Sequence, residues 1–231
     1  LRAAILAPRM LAMAGLTAAL VSINWGVYLY AIQSNRVLDA ALGYYINPLF
    51  SIFLGAVILR ERLTRPQWAA VALAGAAVAL LTWEAGSLPV LSLALTVSWG
   101  FYALFKRALP IGPNQGFTLE ILLLFPLALG YLIWLAAQGD LRFGVTGVAD
   151  VALLIGSGAF TAVPLMLYAN GAKRLRLTTI ALMQYIAPTF IFLVAVYAFG
   201  EPFEGAKRLA FPLIWLALAL YSADLFWRRR R

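Results

Sequence analysis

Hydrophobic residues in this chain come in long runs that are apolar on every side, cut by short polar breaks. Eight such runs can be drawn, at roughly 11–33, 38–59, 67–83, 88–107, 117–137, 151–170, 178–199 and 209–227. Each is about as long as a bilayer is thick and is closed by charge, Gly or Pro. Backbone groups in hydrocarbon must be satisfied within the segment, and none of the runs alternates apolar with polar as a barrel strand would. The pattern therefore predicts membrane-spanning helices.

One of these runs recurs. RVLDAALGYYINPLFSIFLGAVILRE, Arg36 to Glu61, aligns without gaps on RLTTIALMQYIAPTFIFLVAVYAFGE, Arg176 to Glu201. The identities are Arg36/Arg176, Ala41/Ala181, Leu42/Leu182, Tyr45/Tyr185, Ile46/Ile186, Pro48/Pro188, Phe50/Phe190 and Glu61/Glu201. Matched Leu and Ala carry little weight between apolar helices; the Tyr, Pro and terminal Glu in fixed register carry more. Tyr28 and Tyr168 share the offset, and the runs that follow the two Glu-containing loops correspond. This is an internal duplication.

Charge gives the orientation. Of 18 basic residues, 14 fall on one set of loop ends: Arg2, Arg9, Arg60, Arg62, Arg65, Lys106, Arg107, Lys173, Arg174, Arg176 and Arg228 to Arg231. Arg36, Arg142, Lys207 and Arg208 fall on the other. The richer side is expected to be cytoplasmic, with the C-terminal Arg run as an anchor there. The two copies of the repeat are then five spans apart and cross in opposite directions, the arrangement of alternating-access transporters. The expected organisation is the end of a first repeat over 1–85, with three spans, and a second, inverted repeat of five spans over 86–231. The chain starts LRAAILAPRM, without an initiator Met or signal-peptide pattern, and two further N-terminal spans are expected in the intact molecule.

Composition narrows the chemistry. The chain is 64% hydrophobic and 12% charged, with a net charge of +9. The basic residues sit in topology clusters rather than on one face, which argues against nucleic acid as a partner. There is no Cys and no His, which removes disulfides, thiol chemistry and the commonest general base and metal ligand. Gly156-Ser157-Gly158 has the look of a hydrolase turn but lacks the His that chemistry needs. No enzyme activity and no cofactor are expected, and the rivals to a transporter are a channel-like pore or a non-transporting scaffold.

Candidate site residues are the polar and aromatic side chains inside spans, which are costly there unless they face the bundle interior. Asn24 and Tyr28 lie four apart on one helix face with Trp25 between them. Trp99 and Tyr102 lie three apart on another span. Tyr44, Tyr45 and Asn47 precede Pro48, and Gln184 and Tyr185 precede Pro188. Each Pro lacks an N–H and frees a carbonyl one turn earlier, so the two sites mark a symmetric pair of binding or hinge positions. Glu120, in GFTLEILLLFP, is the candidate for proton coupling or for pairing with a cationic group. Glu61 and Glu201 are expected to form interfacial ion pairs with Arg60, Arg62 and Lys207, and Asp224 to pair with the C-terminal Arg run.

Several stretches resemble the RarD family, in the EamA branch of the drug/metabolite transporter superfamily. They are NWGVYLYAI from Asn24, ALGYYINPLFSIFLG from Ala41, RERLTRPQWAAV from Arg60, SWGFYALFKR from Ser98 and LMQYIAPTFIFLVAVYAFGEPF from Leu182. The resemblance implies an all-α polytopic protein of ten helices in two inverted five-helix repeats. It also implies both termini in the cytoplasm of a bacterial inner membrane and a central cavity for a small-molecule substrate. The family's first two spans are missing from this sequence. Such chains commonly carry Glu where Glu120 stands.

Overall fold

The computed structural model describes residues 8–58, 60, 62–141, 147–172 and 185–229. Among them all regular structure is helical, in eight α-helices with no strand. They are α1 Pro8–Gln33, α2 Val37–Val57, α3 Arg65–Ala85, α4 Val90–Ala108, α5 Pro113–Gln138, α6 Val148–Ala172, α7 Ile186–Leu193 and α8 Lys207–Arg229. A single π-helical turn, Val194–Ala198, extends α7. Five helices are long and apolar enough to cross a membrane: α1, α2, α3, α5 and α8; α4, α6 and α7 with its π turn contribute shorter apolar stretches. The protein is a multi-pass membrane protein. The first part of the span expected over 178–199 lies outside the described residues.

Local chemistry sets the helix ends. Thr64 caps α3 in a capping box: its hydroxyl accepts from the Gln67 N–H at 3.2 Å, and the Gln67 side chain accepts from the Thr64 N–H at 3.1 Å. Gly86 (φ 63°) ends α3 and Gly139 (φ 77°) ends α5, both in the left-handed conformation a C-terminal stop requires. Arg36, ahead of α2, makes no side-chain cap, so α2 must find its cap elsewhere in the chain.

The residues fall into two compact units. One comprises 8–18, 108–141 and 147–172, with α5 and α6 packed on each other and a small core of Ala14 and Leu119 flanked by Met10, Leu11, Ile111 and Leu123. Much of α5 is exposed on all sides, including Leu122, Phe125, Leu127, Ile133 and Trp134; a helix apolar all round is one that faces hydrocarbon.

The other unit comprises 19–107 and 185–229 among the described residues, and holds the main core. Its strongest pairing is α3 on α8. Ala70, Ala74, Ala77 and Leu81 of α3 are buried, as are Ala210, Ile214 and Ala217 of α8. Small side chains let two backbones approach closely, which is how helices associate where lipid offers no hydrophobic drive. The Ala77→Leu variant is expected to lower stability by about 1–3 kcal/mol through overpacking, while Ala76→Leu, on the exposed face, leaves the melting temperature in detergent unchanged.

The α3–α8 pair is antiparallel: the α3 N-cap Thr64 donates to Asp224, near the end of α8, at 3.0 Å, and Glu84, near the end of α3, accepts from the Ala206 N–H at the start of α8. α2 packs on α3, α7 and α8, and runs antiparallel to α7. Against α4 it lies close. A Cβ at Gly43 would sit 2.7 Å from the Ser92 carbonyl oxygen. Ser92 donates to the Asp39 carbonyl at 2.7 Å, and Thr96 donates to the carbonyls of Gly43 (2.9 Å) and Ser92 (2.8 Å). Every hydroxyl in this seam thus finds a backbone acceptor, as buried polar groups in hydrocarbon must.

Candidate functional site

The cap that α2 lacks locally comes from far along the chain. The buried Glu201 carboxylate accepts the N–H groups of Val37 and, at 2.9 Å, Leu38. An acid there meets the positive end of the helix dipole and satisfies two donors that have no partner inside α2. Around it Arg36 pairs with Asp39 at 2.7 Å, and Lys207 lies 3.7 Å from the same carboxylate. The role expected for Glu201, an ion pair with loop bases, is therefore corrected: its recorded partners are backbone N–H groups. Asp224 accepts a hydrogen bond from the Thr64 hydroxyl; the side chains of the Arg run expected to pair with it lie outside the described residues. Glu61 lies outside the described residues.

Within the same unit, Asn24 of α1 is fully buried and makes three hydrogen bonds. Its amide nitrogen donates to the Leu95 carbonyl and the Ser98 hydroxyl, both at 2.9 Å, and its oxygen accepts from the Tyr44 hydroxyl at 3.1 Å. One side chain thus ties α1, α2 and α4 together. Aromatic rings continue from this knot: Tyr28 to Tyr44 (5.8 Å between centroids), Tyr44 to Trp99 (6.5 Å) and Trp99 to Tyr102 (5.3 Å). Lys106 Nζ lies 5.4 Å from the Tyr102 centroid, within range of a cation–π attraction. The structure so brings together Asn24, Tyr28, Tyr44, Trp99 and Tyr102. Trp25, between two of them in sequence, is 43% exposed and outside the knot.

Asn47 sits on the stripe 43, 47, 50, 54 of α2, whose members Gly43, Phe50 and Leu54 meet Ser92, Leu95 and Gly100 of α4. It is buried, and its side-chain oxygen has no hydrogen-bond partner among the described residues. One residue on, Pro48 stands inside α2 with no N–H to offer the Tyr44 carbonyl. The Tyr44 carbonyl therefore lacks its regular helical donor one turn before Pro48, close in sequence to the Asn47 oxygen.

Tyr45 points the other way, toward α7 and α8. Its hydroxyl lies 2.8 Å from that of Thr189, and its ring packs edge-on against Phe211 and Trp215. Tyr185 and the buried Pro188 stand at the start of α7 as described, so Pro188 falls in a first turn. Gln184 lies outside the described residues. Glu120 belongs to the other unit. It is two turns into α5, beside Leu119, and only 3% exposed.

Sequence reading passed over Ser98, Asp39 and Glu84. Ser98 stands beside Trp99 in SWGFY and is separable only by seeing which face of α4 meets Asn24. Glu84 had a usable signal: it lies at the repeat offset from Asp224.

The EamA-like transporter family profile matches residues 3–83. The chain is 40% identical over 224 residues to Protein RarD of Streptomyces exfoliatus, covering 97% of this chain and 71% of that one. It is 41% identical over 216 residues to the uncharacterized transporter YojE of Bacillus subtilis, covering 93% and 72%. Protein RarD of Escherichia coli matches all of this chain at 38% identity, with 78% of its own length covered. No solved structure matches the chain. Identity at this level, sustained over nearly the whole sequence, places the chain in the RarD family, in the EamA branch of the drug/metabolite transporter superfamily.

Proposed function

We infer that the chain is most of a permease that carries a small organic molecule across the cytoplasmic membrane by alternating access, with its C-terminus in the cytoplasm. The observation that carries this reading is the antiparallel pairing of elements matched at the 140-residue offset, α2 with α7 and α3 with α8, in a chain of a transporter family. Helices that repeat in sequence and run in opposite directions are what lets one central site open to either side. The division at 85/86, the ten-helix arrangement of two inverted bundles and the inner-membrane location belong to this reading.

Substrate contacts fall to Tyr28, Tyr44, Asn47, Trp99 and Tyr102, positioned by the buried Asn24, with Tyr45, Gln184 and Tyr185 on the second copy's side and Trp25 at the margin. Pro48 and Pro188 are the hinge positions. Glu120 couples transport to protons: Glu120→Gln is expected to abolish the pH dependence of uptake while leaving protein in the membrane, and unchanged pH dependence removes that role.

The experiment is ligand-dependent thermal stabilisation across amino acids, nucleosides, sugars and cationic drugs, followed by uptake into proteoliposomes. Saturable uptake supports the carrier; conductance that does not saturate supports a pore. The Asn47→Leu variant is expected to melt no lower than the parent, because it removes a buried unpaired acceptor worth about 1–3 kcal/mol. It is also expected to lose the stabilisation by ligand.

A further inference from the structure

Glu84 and Asp224 lie 140 residues apart, the offset of the repeat, and each sits near the C-terminal end of its helix. A helix C-terminus is the wrong place for an acid, since the dipole there is negative. Both acids answer this by reaching the opposite helix at its beginning. Glu84 accepts the Ala206 N–H at the start of α8, and Asp224 accepts the hydroxyl of Thr64, the N-cap of α3. The pair is antiparallel, so the two contacts stand at its two ends. The Thr64–Asp224 end carries Arg60, Arg62 and Arg65 with Arg228 and Arg229; the Glu84–Ala206 end carries Arg36, Lys207 and Arg208. At that second end Glu201 adds its grip on the start of α2.

Between the ends the joint is of a different kind. Ala70 and Ala210, and Ala77 and Ala217, also match at the offset, and all four are fully buried. A shallow Ala seam packs closely and interlocks little, so it can act as the line about which two helices rock. The ends are held by polar contacts that are made or broken whole.

We propose that Glu84 and Asp224 are the outer and inner gates of the transport cycle, each holding one end of the α3–α8 pair shut while the other releases. This rests on the carrier reading above. Both contacts are formed in this structure, which is therefore the arrangement closed at both ends. Gly205 guards the outer contact. It has φ +56°, and a Cβ there would collide with the Glu84 carboxylate.

The chain has no Cys, so single reporters are clean. Leu81→Cys, buried beside the outer contact, and Tyr221→Cys, its offset mate beside the inner one, are labelled with a membrane-impermeant maleimide. The full-length protein is used, in spheroplasts for the outer face and inverted vesicles for the inner. Glu84→Gln is expected to raise labelling at 81 from outside and lower labelling at 221 from inside, and Asp224→Asn to do the reverse. The expected shift in each open-to-closed ratio is about tenfold, the worth of one hydrogen bond to a charged group. If Glu84→Gln does not accumulate, Gly205→Ala displaces the same carboxylate and is expected to act in the same direction. Shifts that go the same way at both ends, or no shift, overturn the gates. Saturable uptake without side bias would leave the carrier and remove the gates; side bias without uptake of any tested compound would leave the gates and remove the carrier.

Discussion

Gly43→Val is expected to be among the most damaging single changes in the chain, lowering stability by about 3 kcal/mol or more through overpacking against a wall that cannot yield. A Cβ there would stand 2.7 Å from the Ser92 carbonyl oxygen and 3.0 Å from the Leu95 Cβ. The first obstacle is backbone, so no side-chain rotation relieves it; α2 and α4 must part. Parting them stretches the bonds from Thr96 to the Gly43 carbonyl and from Ser92 to the Asp39 carbonyl, and then the knot at Asn24. Gly75→Ala is the control, because nothing lies within 4 Å of its added methyl. It is expected to gain up to about 1 kcal/mol of helix propensity. Thermal melts of both variants in one detergent test this. Equal behaviour would mean that α2 and α4 are not in close contact.

Glu201→Ala is the second. It strips two N–H groups at the start of α2 of their acceptor and leaves Arg36 and Lys207 facing Asp39 alone. Each hydrogen bond to a charged acceptor is worth about 1.5–3 kcal/mol, so losing both costs about 3–6 kcal/mol. Glu201→Gln keeps one acceptor oxygen and is expected to recover part of the loss. Arg36→Ala is expected to matter far less, since the Arg36 side chain is 51% exposed and such pairs are worth about 0–1 kcal/mol. Unfolding in detergent ranks the three. If Arg36→Ala matched Glu201→Ala, the ion pair rather than the cap would be holding this end together.

The helices were legible because hydrocarbon thickness and composition fix them almost alone: seven of the drawn runs fall on helices α1 to α6 and α8, within a few residues. Orientation of partners was not. Asn24 and Tyr28 share a face by periodicity, but that Tyr44 and Ser98 would close on Asn24 depends on how three helices cross, which no spacing encodes. Glu201 shows the same limit from the other side. Its charge and its place after α7 could be read, and Lys207 nearby suggested an ion pair. The donors it takes are 163 and 164 residues away, at a helix start whose lack of a local cap becomes visible only in three dimensions. Tyr44 and Tyr45, adjacent in sequence, diverge to α1 and α7 because successive helical positions face about 100° apart.

The Ala seam between α3 and α8 has one more consequence. Ala70 and Ala210, and Ala77 and Ala217, stand at matched positions of the repeat and are all buried, so each helix offers the other nearly what it receives. An interface in which both sides present the same patch is isologous, the kind that closes a two-fold dimer. On the repeat proposed here, a half-length chain carrying only this helix could pair with a copy of itself inserted the opposite way, with no new contact to invent. Joining the copies end to end would then have fixed in one polypeptide a symmetry that first belonged to two, and freed the two sides of the seam to diverge, as Ala74 and Ile214 have done.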